Sequence, residues 1–200
     1  MRIFLSYGHD SNAPLIEKIK EYLSKDAEGN RNNLGLQYYS TGNTADAKEL
    51  LKKAINSCLM IEDKTEDDTA ALATYYVNLG IILDKEGDLE HAYESYKECA
   101  NYRKQLSKNN PNAFLQPLGM ILLRMAGLSC CKGNEYDAKL NLMKARYVFE
   151  KTDLQREQYE SALQQMADSI SKMKRSYKLF FGLFIINEDK LKEEFVKYFI

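Results

Sequence analysis

Three segments of this chain can be written beneath one another, and that alignment limits the fold more than any other feature. They are "NLGLQYYSTGNTADAKELLKKAI" from Asn33, "NLGIILDKEGDLEHAYESYKECA" from Asn78 and "RMAGLSCCKGNEYDAKLNLMKAR" from Arg124. The starting points lie 45 and then 46 residues apart (78 − 33 and 124 − 78). Gly42, Gly87 and Gly133 then coincide, as do Ala47, Ala92 and Ala138. Leu51, Tyr96 and Leu142 follow, then Ala54, Cys99 and Ala145, with Gly35, Gly80 and Ala126 upstream.

Each coincidence has a physical reason. Glycine takes the left-handed conformation that ends a helix, and the Asn or Asp after it caps the next one. Asp46, Glu90, Glu135 and Asp137 then fall in a first helical turn, where a carboxylate meets the positive end of the helix dipole. Ala47, Leu51 and Ala54 sit at i, i+4 and i+7, on one helical face. The small residues upstream allow the two helices of a pair to approach closely.

This ordered pattern of small residue, Gly, Ala, aromatic or Leu, and Ala resembles the tetratricopeptide repeat (TPR). "YYVNLGIILDKEGDLEHAYESYKECANYRKQLSKNNP" looks like the longer repeats of the kinesin-light-chain type. Ordinary TPR units run to about 34 residues, whereas HEAT and armadillo repeats match the longer period but lack the glycine turn. The resemblance covers residues 28–152 and weakens in the third copy, where Met125 and Ser129 replace Leu79 and Leu83. It implies an all-α solenoid of stacked antiparallel helix pairs. Residues 153–200 are expected to form C-terminal capping helices. Leu154, Tyr159, Leu163, Met166, Ile170 and Met173 share one face of the first, and Leu191, Phe195 and Phe199 one face of the last.

The opening "RIFLSYGHD" resembles the first strand and loop of TIR domains, which in bacterial proteins are sometimes joined to TPR arrays. A helix with Ser11 or Asn12 as cap and Pro14 in its first turn follows. The match covers residues 1–26 only, and a TIR domain needs several more strands, so the segment is expected to be an incomplete strand–helix stub. Two readings stay open: a remnant that pairs with another chain or binds a nucleotide, or a cap packed on the first repeat. No later segment matches the catalytic glutamate of NAD-cleaving TIR enzymes, and no residue of that site is carried over.

Lys+Arg 28 against Asp+Glu 29 leaves a formal net charge of −1, which is not the basic footprint of a nucleic-acid binder. Cys58, Cys99, Cys130 and Cys131 form no Cys-x-x-Cys pair, and they read as buried reduced thiols of a cytoplasmic protein. "MRIFLSYGHD" lacks a signal-peptide pattern, and "LFFGLFII" (179–186) is too short to span a membrane. The acidic run "IEDKTEDD" (61–68) lacks the glycine and terminal glutamate of a calcium loop and reads as a linker. His9 and His91 are expected to be solvent-exposed. No catalytic set, metal cluster or cofactor motif is found, and the expectation is a non-enzyme without cofactor.

The TPR resemblance implies a superhelix whose concave face, lined by the first helix of each pair, binds a peptide or partner protein. Asn33, Asn78 and Arg124 occupy one equivalent position, with Tyr39, Ile81 and Lys85 nearby; these are the candidate groove residues. TPR proteins that clamp a terminal carboxylate carry Asn and Arg there. The clamp lysines have no counterparts here, since Met120 and Leu36 stand where polar residues would be needed. The asparagines could equally bond backbone within the stack. The alternatives to a binding scaffold are an NAD-cleaving TIR-type enzyme completed by another chain, or a purely structural fragment of a signalling or defence protein.

Overall fold

The computed structural model describes residues 28–152, 154, 156–180 and 188–199. The strand–helix stub expected over residues 1–26, with His9, lies outside them. The described residues form helices, with no strand among them: α1 (Glu28–Ser40), α2 (Thr44–Leu59), α3 (Glu66–Lys85), α4 (Leu89–Ser107), α5 (Pro111–Cys131), α6 (Glu135–Phe149), α7 (Arg156–Phe180) and α8 (Glu188–Phe199). They fall into two compact units, one ending at Met60 and the other beginning at Ile61.

The turns form as the repeat predicts. Gly42, Gly87 and Gly133 take φ of 86°, 82° and 73°. The amides of Asn43, Asp88 and Asn134 donate back to the carbonyls of Tyr38, Leu83 and Ser129 at 2.9, 2.9 and 2.8 Å. This is the Schellman closure, which satisfies carbonyls that the helix end leaves unbonded. The same three residues then accept from the amides of Asp46, His91 and Asp137, capping the following helices. Such a cap contributes about 1 kcal/mol. Each turn therefore stops one helix and starts the next within three residues.

In the first unit Ala47, Leu51, Ala54, Ile55 and Cys58 of α2 are buried, together with Leu34 of α1. A Cβ added at Gly35 would lie 3.2 Å from the Ala47 carbonyl oxygen and 3.3 Å from Leu51 Cγ, so α1 passes close to α2. Arg31 Nη1 donates to Ser57 Oγ at 2.6 Å and ties their open ends.

The second unit holds the larger core. Ala92, Tyr96 and Cys99 of α4 are wholly buried against Leu72, Leu79, Ile82 and Leu83 of α3. A Cβ at Gly80 would fall 2.6 Å from the Tyr96 ring, a distance real Cβ atoms do not adopt. In the third pair the corresponding contact moves. Ala126 is buried and Leu142 only half-buried, while Phe149 meets Gly119, where a Cβ would sit 2.7 Å away. The close approach thus lies two turns farther from the glycine turn than the alignment implied. Helix α5 also packs on α4, and Arg103 of α4 donates to the carbonyl of Pro117 inside α5 at 2.8 Å.

Several sequence expectations are corrected here. The stretch "IEDKTEDD" is only partly linker, because Thr65 caps α3 in a reciprocal box with Asp68. The Thr65 hydroxyl and amide bonds hold the Asp68 carboxyl below its ordinary range. By length and composition α5 alone among the described residues could cross a membrane, and half of that stretch is buried in the protein. Cys58 and Cys99 are buried, but Cys130 is half-buried and Cys131 exposed, contrary to the expectation for all four. His91 is exposed as expected, its Nδ1 2.9 Å from Asp88.

Helix α7 packs on α5 and α6 through the face read from the sequence: Tyr159, Leu163 and Ile170 are buried, and Tyr159 stacks on Phe149 at 5.2 Å. Helix α8 lies against α6, with Leu191 buried and Phe195 and Phe199 around Tyr147.

The turn geometry predicts the outcome of one substitution. Gly87→Val should lower stability by about 1–3 kcal/mol, because a β-branched residue resists φ of +82°. Thermal melting followed by circular dichroism checks this, and an unchanged midpoint would contradict the turn.

Candidate functional site

Helices α1, α3 and α5, the first of each pair, share an arrangement: one face enters the core and the opposite face stays open. On α3 the open row is Thr74, Asn78, Ile81 and Lys85, at i, i+4, i+7 and i+11. Thr74 and Lys85 are exposed, Asn78 and Ile81 half-buried. On α5 the row is Gln116, Met120 and Arg124, all exposed, with Met120 showing 49% of its surface. A Met so open, one turn from Arg124 in the same row, is an apolar contact surface rather than core.

Arg124 has a specific support. Tyr96 of α4 is wholly buried, and its hydroxyl ends between Asp84 of α3 and Arg124 of α5 without a well-formed hydrogen bond. Burial pushes this phenol up to about 12, with the Arg124 cation pulling it down and the Asp84 carboxylate pushing it up. One aromatic side chain therefore brings the C-terminal turn of α3 and the middle of α5 to a common point. The arrangement offers hydrogen-bond donors and acceptors beside apolar surface. It contains no nucleophile–base pair, and no cluster of metal-ligating side chains occurs among the described residues.

The candidate residues from the sequence separate into two sets. Asn78, Ile81, Lys85 and Arg124 belong to the second unit, and the first three share one face of α3. Asn33 and Tyr39 belong to the first unit. There Asn33 is exposed and its Oδ1 accepts from Asn32 Nδ2 at 3.4 Å, while Tyr39 is half-buried. Asn32, the neighbour of Asn33 in α1, is buried. Asp84 and Tyr96 were missed as site residues. Tyr96 stood in the repeat alignment only as a packing position, and nothing in the linear pattern says that its hydroxyl reaches Arg124.

Residues 31–60 match the tetratricopeptide repeat family, and residues 73–106 match it independently. These two segments carry the tetratricopeptide-repeat pattern. The matched TPR segments coincide with the pairs α1–α2 and α3–α4. The pair α5–α6 lies outside both, in keeping with its displaced Gly119–Phe149 contact. TPR repeats generally mediate protein–protein interactions. No curated protein matches the chain.

The Tyr96 geometry separates ring from hydroxyl. Tyr96→Phe should leave the melting temperature unchanged or slightly raised, because a buried hydroxyl without a well-formed bond contributes no net stability. Tyr96→Ala should cost about 3–5 kcal/mol, the usual penalty for emptying a buried aromatic site. A drop of several degrees for the Phe variant would mean that the hydroxyl is bonded after all.

Proposed function

We propose that the chain is a non-catalytic interaction module that holds an extended segment of a partner protein against the open faces of its first helices. The observations that support this most are the row Thr74–Asn78–Ile81–Lys85 on α3 and the row with Met120 and Arg124 on α5. Polar side chains recur there at about one-turn intervals between apolar ones. An extended peptide presents backbone amides and carbonyls at regular intervals, and Asn78 can donate to one and accept from the other. Arg124 adds a charge-assisted bond to an acidic side chain or terminal carboxylate, while Met120 provides apolar contact beside it.

In this reading Asn78, Ile81, Lys85 and Arg124 are the groove residues of the second unit and Asn33 and Tyr39 those of the first, the repeats are of the long kinesin-light-chain-like type, and residues 28–152 contain three of them. The protein works in the cytoplasm without cofactor, and bacterial TIR–TPR signalling or defence is the setting to which the likeness of residues 1–26 points. An NAD-cleaving activity would require another chain to complete the TIR-like segment. Incubation of the purified protein with NAD is expected to leave the dinucleotide intact.

The groove is tested by titrating a peptide from a captured partner into wild type and two variants. A hydrogen bond contributes about 0.5–1.5 kcal/mol and one to a charged group about 1.5–3 kcal/mol. Asn78→Ala should therefore weaken binding several-fold. Arg124→Ala should weaken it more, with the difference shrinking as salt is raised. Unchanged affinity in both folded variants would move the binding surface off the first helices.

A further inference from the structure

The second helices present a different surface, formed by α4 and α6 and occupied by α8. The two helices are joined where Asn141 Nδ2 donates to the Tyr93 hydroxyl at 3.1 Å. Helix α8 lays Phe195 and Phe199, spaced i and i+4, against Tyr147, at ring distances of 5.4 and 4.4 Å. Its last turn is held by two lysines from different helices. Lys104 of α4 and Lys144 of α6 lie 4.5 and 4.1 Å from the centre of the Tyr198 ring. Lys104 also donates to the Tyr198 backbone carbonyl. Cations at this end satisfy unbonded carbonyls and oppose the negative pole of the helix. An aromatic slot for an i, i+4 pair with a cationic stop at one end is a receptor surface for an amphipathic helix of fixed polarity.

The fit of α8 is also incomplete. The Tyr198 hydroxyl is buried without a hydrogen-bond partner. Val196 stays 47% exposed. Among the described residues α8 packs broadly on α6 alone, touching α4 through Lys104. An element that packs broadly on one helix alone and leaves a buried hydroxyl unbonded opens at lower cost than the core pairs.

We propose that the α4–α6 surface is a helix-receiving groove that accepts α8 from a second copy of this chain as well as its own, so that two copies pair by exchanging α8. The occupant follows from identity: a second α8 carries the same Phe195–Phe199 pair and the same last turn for Lys104 and Lys144. Exchange of one element between protomers needs no new contacts, only release of the old ones.

Two measurements test this. A fluorescent synthetic peptide of residues 188–200 is titrated into the full chain and into the Phe195→Ala/Phe199→Ala chain, whose own α8 is weakened. The peptide should bind the double variant at least about tenfold more tightly than wild type, because the competing occupant is gone. Adding Tyr147→Ala should remove that binding. Separately, wild-type chains carrying donor and acceptor dyes are mixed at rising concentration, which needs no variant to fold. Energy transfer should appear on mixing and be suppressed by excess peptide. Equal or absent peptide binding in the double variant, or no transfer at any concentration, would overturn the proposal.

Discussion

The Tyr96 ring lies on the backbone of Gly80, and much of the second unit depends on that contact. A Cβ at position 80 would fall 2.6 Å from the ring, so the ring can occupy its place only because glycine stands opposite. With the ring seated there, α3 and α4 are drawn together and Ala92 and Cys99 close over the same core. The ring's far end then emerges between Asp84 and Arg124, linking the packing of one pair to the open face of the next. The first pair solves the same problem with Leu51 on Gly35, and the third with Phe149 on Gly119. A small residue opposite a large one is the shared device; its height along the helices varies.

The two sides of each pair differ in chemistry because packing uses different residues on each. The first helices direct Leu79, Ile82, Leu83, Ile121, Leu122 and Met125 inward and leave polar rows outside. The second helices α4 and α6 direct alanines, Cys99 and Tyr96 inward, and carry on another side the lysines and aromatic rings that receive α8. The second unit thus carries an open, largely polar face on its first helices and a covered aromatic one on its second helices.

Much of this was legible in the sequence where the cause is local. A turn glycine and its capping neighbour act within six residues, so Gly42-Asn43, Gly87-Asp88 and Gly133-Asn134 could be read with their geometry. The faces of α7 and α8 followed from helical spacing for the same reason. What was not legible arises between elements. Phe149 takes the place expected of Leu142 because Gly119, a residue the alignment did not weigh, leaves space for it. Arg124 could be assigned to an open face from its register, but its support by Tyr96 depends on how α4 and α5 cross. The apolar character of α5 was hidden because Gln116, Pro117 and Arg124 interrupt the run that its buried side forms.

The small-to-large contact can be measured by a double-mutant cycle on Gly80→Ala and Tyr96→Leu, with unfolding free energies of the wild type, both single variants and the double variant. Overpacking a well-filled core typically costs about 1–3 kcal/mol, and residues in direct contact couple by about 0.5–3 kcal/mol. The account predicts that Gly80→Ala is strongly destabilising alone and much less so when combined with Tyr96→Leu, as a branched side chain already suffices opposite Gly35. Additive effects would mean that the Tyr96 ring does not rest on Gly80, and the account of both the core and the Arg124 face would fail.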